Sequence, residues 1–239
     1  MNVMALQNKT ARAAYWLMVL VLFAAAAIML SMYTPTDQIQ NQDGSVTDNP
    51  IQKIFYVHLP SAINSLLACL VVFVASAGYL WGQRAWWDDL ALAGAKVAVL
   101  LCSVVLLTGM IWGHYSWFPK GQWWTWSPKL TFSLILWLLY VVYLILRPSI
   151  ESQRRRALVS AVYGIAAFLD VPLVYLSAKM MPDIHPAALP MSPEMKLTLA
   201  VWFVPVTLLT AGLIVEAFNA HRRKSLQRQD TAKIPSQNV

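Results

Sequence analysis

Two histidines and one cluster of tryptophans are the side chains in this sequence best suited to chemistry. His58 stands in KIFYVHLP, His185 in MMPDIHP, and residues 112–131, WGHYSWFPKGQWWTWSPKLT, hold Trp112, Trp117, Trp123, Trp124 and Trp126 with Tyr115 and Phe118. An imidazole nitrogen can ligate a metal, and two imidazoles on opposite sides of one iron need ligating nitrogens only ~4 Å apart. Tryptophan adds a flat apolar face and a single N–H donor, which suits a flat, partly polar ligand when the backbone is too irregular to be a helix. Axial histidines are an ordinary way of holding haem. Tryptophans packed on a porphyrin, with lysines neutralising its propionates, would complete such a site. An interfacial aromatic belt asks the same of the tryptophans, and a hydrogen-bonded polar residue at the interface asks the same of a lone histidine. Two histidines and the loop on one face weigh against those simpler readings without removing them. His114, within the loop, is read as an ordinary interfacial residue, and His221, beside Arg222 and Arg223, as unconnected with the site.

The elements that must position these residues follow from composition. Of 239 residues, 58% are hydrophobic and 12% charged, and that charged share is about half that of a soluble domain. Apolar blocks run from Ala14 to Tyr33, Ile54 to Trp81, Leu90 to Trp112, Leu130 to Leu146, Ala157 to Ser177 and Leu197 to Phe218. Each is near the ~20 residues that cross a ~30 Å hydrocarbon core. The expected fold is an all-α integral membrane protein, a bundle of six transmembrane helices. Its membrane domain is expected over residues 1–224, with a polar, disordered cytoplasmic tail over 225–239. The first block exceeds the 7–15 apolar residues of a signal peptide and is read as a retained helix.

Charge sets the expected orientation. Twelve of the eighteen Lys and Arg residues, at positions 9, 12, 84, 147, 154–156, 222–224, 228 and 233, fall at one end of the six blocks. That bias predicts cytoplasmic termini and an extracytoplasmic tryptophan loop. The same distribution at helix ends explains the net charge of +7 without nucleic acid as a partner. Thr34–Gln52 carries Asp37, Asp43 and Asp48 and is expected to be a flexible acidic connection. Cys69 and Cys102 lie in separate apolar blocks, without C-x-x-C spacing, and are read as buried structural thiols. No phosphate-binding, dinucleotide or paired-carboxylate motif is present, so the chain has no means of hydrolysing ATP by itself. Asp170, two residues before Pro172, is read as answering backbone freed by a proline kink, and Lys96 as a snorkelling side chain.

KIFYVHLPSA, TGMIWG and GQWWTWSPKLT, with a His-bearing loop before the last block, resemble the haem-handling membrane proteins of cytochrome c maturation. Among them the six-helix haem exporter protein C family is nearest; the larger synthase-type relatives have more helices. The resemblance covers nearly the whole chain and implies a b-type haem carried as cargo at the outer surface of a bacterial inner membrane. It implies that His58 and His185 are the axial ligands of the iron. Trp123, Trp124 and Trp126 match the motif that contacts the haem, with Trp117 in the same loop and Lys53 and Lys129 placed for the propionates. It further implies a periplasmic haem chaperone as recipient. The other implied partners are an ATP-binding-cassette ATPase with its membrane subunit and a small single-span accessory protein.

Three positions depart from the family pattern. Ser127 stands where WWxWD carries its acid, which puts any acid-dependent chaperone contact in doubt. Lys53 and Lys129 stand where arginine is familiar, so a bidentate guanidinium fork is lost. The loop between Trp112 and Trp123 is longer than usual. The expected function is binding and hand-over of haem rather than catalysis. A small-molecule permease with an aromatic outer gate and a structural membrane subunit are the alternatives.

Overall fold

The computed structural model describes residues 9–40, 43–116, 118–180 and 191–233. Helix α1 spans Lys9–Met32, a two-stranded hairpin joins β1 (Asp37–Gln40) to β2 (Val46–Asn49), and a 3-10 turn over Pro50–Ile54 leads into α2, Phe55–Gly82. Helices α3 (Ala85–Ser116), α4 (Pro128–Leu146), α5 (Gln153–Phe168), α6 (Asp170–Met180) and α7 (Pro193–Lys233) follow. Six spans are long and apolar enough to cross a membrane, with α5 and α6 together forming the fifth. This is the all-α six-span bundle that the apolar blocks predict.

Local chemistry sets the helix ends. Ser127 caps α4, its hydroxyl accepting from the Leu130 amide, and Pro128 takes the first helical position, where no N–H is needed. Ser152 caps α5 through the Arg155 amide. Helix α2 stops at Gln83, in the left-handed conformation with φ 46°, and the Gln83 amide bonds the Tyr79 carbonyl at 2.8 Å. The chain then enters α3 almost at once, so α2 and α3 form a tight antiparallel pair, the most extensive contact in the bundle.

Small residues let that pair approach. Ala68, Ala75, Ala91, Ala95 and Ala98 are all buried in its core, and a Cβ at Gly94 would lie 3.2 Å from the Ala68 carbonyl oxygen. In hydrocarbon, where apolar burial gives no drive between helices, such close backbone packing is what holds them together. Free Cys69 and Cys102 are buried in the same cluster, as expected of structural thiols. Helix α1 sits at the edge against α7, where Arg12 pairs with Glu216 at 2.6 Å and the Thr34 and Thr198 hydroxyls meet at 2.7 Å.

Three local features differ from the sequence expectation. The acidic connection after α1 contains a hairpin, in register Asp37↔Asn49 to Gln40↔Val46. Its turn has Gly44 at φ 82° beside Asp43, whose carboxylate accepts from the Ser45 amide and hydroxyl. Those bonds hold the Asp43 carboxyl below its usual range. The fifth span is broken at Leu169, whose amide reaches back to Ala166, because Pro172 has no N–H to offer the Phe168 carbonyl. Helix α7 runs to Lys233, into the stretch expected to be tail.

Candidate functional site

The second and third helices build the best-defined part of the site. His58 projects from the start of α2 towards the end of α3, where its Nδ1 lies 2.9 Å from the Thr108 hydroxyl oxygen. The same hydroxyl has the Val104 carbonyl 2.7 Å away as an acceptor for its single proton. With that bond made, the oxygen accepts towards His58 and Nδ1 carries the imidazole proton. That tautomer leaves Nε2 as the ring's lone-pair nitrogen, the one able to ligate a metal. Gly109 provides the room: a Cβ there would lie 3.2 Å from His58 Cε1. Trp112, one turn further along α3 and 4% exposed, meets the imidazole edge-on at 6.0 Å between ring centres. Phe55 tilts against Trp112 at 5.7 Å, so the wall behind His58 is aromatic and closed.

The loop after α3 begins with Phe118 folding back, its amide bonding the Gly113 carbonyl at 2.8 Å. The Phe118 ring covers Gly113 so closely that a Cβ there would overlap it. A turn follows with Gly121 at φ 83°, closed by the Gln122 amide on the Pro119 carbonyl; this is the left-handed position that glycine fills without strain. His114 then stacks on Trp123 at 3.9 Å with 3° between the planes. Its Nδ1 lies 2.6 Å from the Gln122 carbonyl oxygen, which can only accept, so His114 also has its proton on Nδ1 and its lone pair on Nε2. Sequence reasoning had treated His114 as a bystander. Its spacing of nine residues from Trp123 has no regular period, and only the fold-back of the loop brings the two rings together.

The other tryptophans of the motif offer faces and a donor. Trp123 is 48% and Trp126 75% exposed, and Trp124 meets Trp126 edge-on at 5.9 Å. The Trp124 indole N–H and the Thr125 hydroxyl are buried and have no hydrogen-bond partner among the described residues. Gln52 Oε1 and Ser116 Oγ share that condition. An unmet buried donor costs about 1–3 kcal/mol, so two adjacent ones in an aromatic loop fit a ligand that brings an oxyanion beside a flat ring. A haem, with carboxylates on its edge, satisfies that description.

The lysines are placed unequally. Lys53 sits in the 3-10 turn that packs on α2 and α3 and makes no ion pair among the described residues. Lys129 lies in the first turn of α4 and donates to the Val174 carbonyl across the α4–α6 seam at 2.8 Å. His185 and Trp117 lie outside the described residues. The structure therefore brings His58 to the same helix ends as the Trp123–Trp126 segment, while the placing of His185 rests on sequence.

Asp170 is 6% exposed at the first position of α6, and its Oδ2 has no partner among the described residues. Sequence reasoning missed Thr108 and Gly109, which orient and clear the His58 ring. It also missed the role of Arg147, counted only as a topology-setting cation. Arg147 is buried and forks onto Asp88 by two bonds of 2.7 Å.

Comparison with known proteins gives the family. A Heme exporter protein C of Bradyrhizobium diazoefficiens is 29% identical over 180 residues, 75% of this chain and 64% of that protein. One from Paracoccus denitrificans is 35% identical over 100 residues, 42% of this chain and 40% of its own length. A ccmC-like mitochondrial protein of cytochrome c biosynthesis from Marchantia polymorpha is 26% identical over 161 residues, covering 67% and 64% of the two chains. The matched stretches thus span less than two thirds of each relative's length. The CcmC family, described as Heme exporter protein C, matches residues 1–234, a range that takes in all six spans, His58 and the tryptophan loop, and the chain belongs to that family.

Proposed function

We propose that this protein binds haem at the tryptophan-loop end of its bundle and hands it to a haem chaperone during cytochrome c maturation. The observation that carries the proposal is the His58 imidazole, hydrogen-bonded through Nδ1 to Thr108, so that Nε2 is the nitrogen left for a metal. The names of the relatives support the haem cargo, and that of the Marchantia protein supports the cytochrome c pathway. His185 supplies the second axial nitrogen in this reading. Trp123 and Trp126 offer their exposed faces to the porphyrin, and the Trp124 N–H and Thr125 hydroxyl serve its carboxylates together with Lys53 and Lys129. The cargo is a b-type haem, held by ligation and contacts alone, so the protein can release it without breaking a covalent bond.

Six apolar spans and bacterial relatives support a multi-pass protein of the bacterial inner membrane. The Lys and Arg bias of the sequence supports cytoplasmic termini and a haem site on the periplasmic side. The partners proposed are a periplasmic chaperone, an ATP-binding-cassette ATPase with its membrane subunit, and a small single-span protein. This chain's part is to bind, orient and present. No bond-making step is assigned to it.

The test is an absorption spectrum of the detergent-purified protein with pyridine-haemochrome quantification, beside His58→Ala, His185→Ala and the double variant. Wild type should show a Soret band, each single variant should lose most of it, and all four should be recovered from the membrane in similar yield. Equal haem in wild type and the double variant would sink the ligand assignment. Absence of haem from folded wild type with ample supply would move the function to solute permeation or to a structural subunit, which a transport assay separates.

A further inference from the structure

At the bundle end remote from the tryptophan loop, the helices line a half-open cavity of about 410 Å³, within the ~300–1,000 Å³ range of small-ligand pockets. Each of its walls is one face of a helix. Asp89, Leu92 and Lys96 come from α3 at spacings of three and four, and His221 and Lys224 from α7 at a spacing of three. Leu144 and Arg147 close it from the end of α4, and Gln153 and Arg156 from the start of α5. Spacings of three and four bring side chains onto a common helix face, so the cavity is formed by converging helices rather than by a loop.

The walls hold four Lys and Arg side chains against two carboxylates. Arg147 is already matched, since Asp88 takes both of its terminal nitrogens. Lys96 and Lys224 make no ion pair among the described residues. Lys96 is exposed although residues 91–95, 97 and 98 around it on α3 are buried, so its side chain leaves a packed helix at the cavity. A helix of 32 residues is about 48 Å long against a ~30 Å hydrocarbon core, and Lys96 lies about 16 Å along it from Ala85. Centred in the bilayer, α3 would carry Lys96 about 7 Å below the edge of the hydrocarbon. An ammonium at that depth needs either water or an anion. Leu92, Leu144 and Pro148 give the same cavity an apolar wall.

We propose that this cavity binds the phosphate of an anionic phospholipid drawn from the adjoining leaflet, with Lys96 and Lys224 as its principal cations and Arg156 beside them. Basic pockets between transmembrane helices at the headgroup level recognise such lipids by this chemistry. No Trp, Tyr or Phe lines the cavity, so it lacks the flat apolar faces that the tryptophan loop offers. The bound headgroup would tie together the ends of α3, α4, α5 and α7.

Native mass spectrometry of the full chain in detergent, titrated with phosphatidylglycerol or phosphatidylcholine, tests this directly. Wild type should retain phosphatidylglycerol at activation that strips phosphatidylcholine. At roughly fivefold per lysine, Lys96→Gln/Lys224→Gln should weaken that association by about 30-fold, whereas Lys96→Arg/Lys224→Arg should keep it within about threefold. Equal retention of the two lipids by wild type overturns the proposal, whatever becomes of the variants. So does unchanged retention by the glutamine variant. Displacement of the lipid by millimolar inorganic phosphate would show a site for soluble phosphate and overturn the lipid assignment, and displacement by added haem would do the same. The Soret band of the glutamine variant should match wild type, so failure here is distinguishable from failure of the haem reading.

Discussion

Two sets of buried polar groups at opposite ends of the bundle are satisfied to opposite degrees. At the end holding Arg147, the guanidinium is 5% exposed and satisfied three times over. It makes two 2.7 Å bonds to Asp88 and one of 3.3 Å to the Tyr143 hydroxyl, with the Tyr143 ring 5.6 Å from its carbon. At the other end, the Trp124 N–H and Thr125 hydroxyl are buried with no acceptor among the described residues, beside tryptophans whose faces are exposed. A closed network of charges holds helices together. An open set of neutral donors is costly in the protein alone and becomes favourable when a ligand supplies the acceptors. The contrast teaches that the more strongly charged contact is the self-sufficient one, and that the less satisfied one is where the proposed ligand has something to add.

The largest expected effect tests the closed end. Arg147→Leu strands the Asp88 carboxylate, whose side chain is 12% exposed, and removing one partner of a buried pair costs about 3–5 kcal/mol. Thermal unfolding in detergent should show that loss, and Arg147→Leu/Asp88→Asn should recover most of it because no unpaired charge remains. Haem per folded molecule should stay at the wild-type level in both. A selective loss of haem with normal stability would reverse the division between the two ends.

A smaller effect tests the open end through a residue that need not touch the ligand. Thr108→Val preserves shape but removes the oxygen that accepts from His58 Nδ1–H. Loss of such an outer partner typically lowers metal affinity about 10–100-fold. Haem retention should fall by that order, with Thr108→Ser restoring it and stability moving by no more than about 1 kcal/mol, the worth of one hydrogen bond. Unchanged retention in the valine variant would mean that the tautomer is held by something other than Thr108.

Much of this was legible in the sequence, for stated physical reasons. A span must be apolar along its whole length, so all six appear as runs, and residues 112–131 stand out because five tryptophans beside proline and glycine cannot be an ordinary helix end. His58 was visible by its place at the start of a run. Its partner was not: Thr108 lies fifty positions away, and nothing in TGMIWG announces that its threonine bonds an imidazole until α2 packs on α3. Arg147 and Asp88, separated by 59 positions, were hidden by a rule that counts cations at helix ends without asking which of them are buried. Ser127 is instructive in the other direction. As a departure from the family's acid it looked like a lost contact, yet it caps α4, a task that serine and aspartate perform about equally well. The substitution therefore leaves the helix start intact and confines its consequence to whatever meets the loop from outside.

An effect of the same order separates a ligand site from an aromatic belt. Trp124→Phe keeps an aromatic ring at the same position and removes only the indole and its N–H. In a belt, where ring and depth are what matter, haem retention would not change. If the N–H serves a haem carboxylate, a charge-assisted bond of about 1.5–3 kcal/mol is lost, which corresponds to roughly 10-fold or more in retention. Smaller ring area offsets nothing in that direction, and stability of the haem-free protein should hold or rise slightly, because the variant no longer buries an unmatched donor. The opposing signs make the measurement decisive: weaker haem retention without loss of apo-protein stability is an outcome that an anchoring belt does not produce.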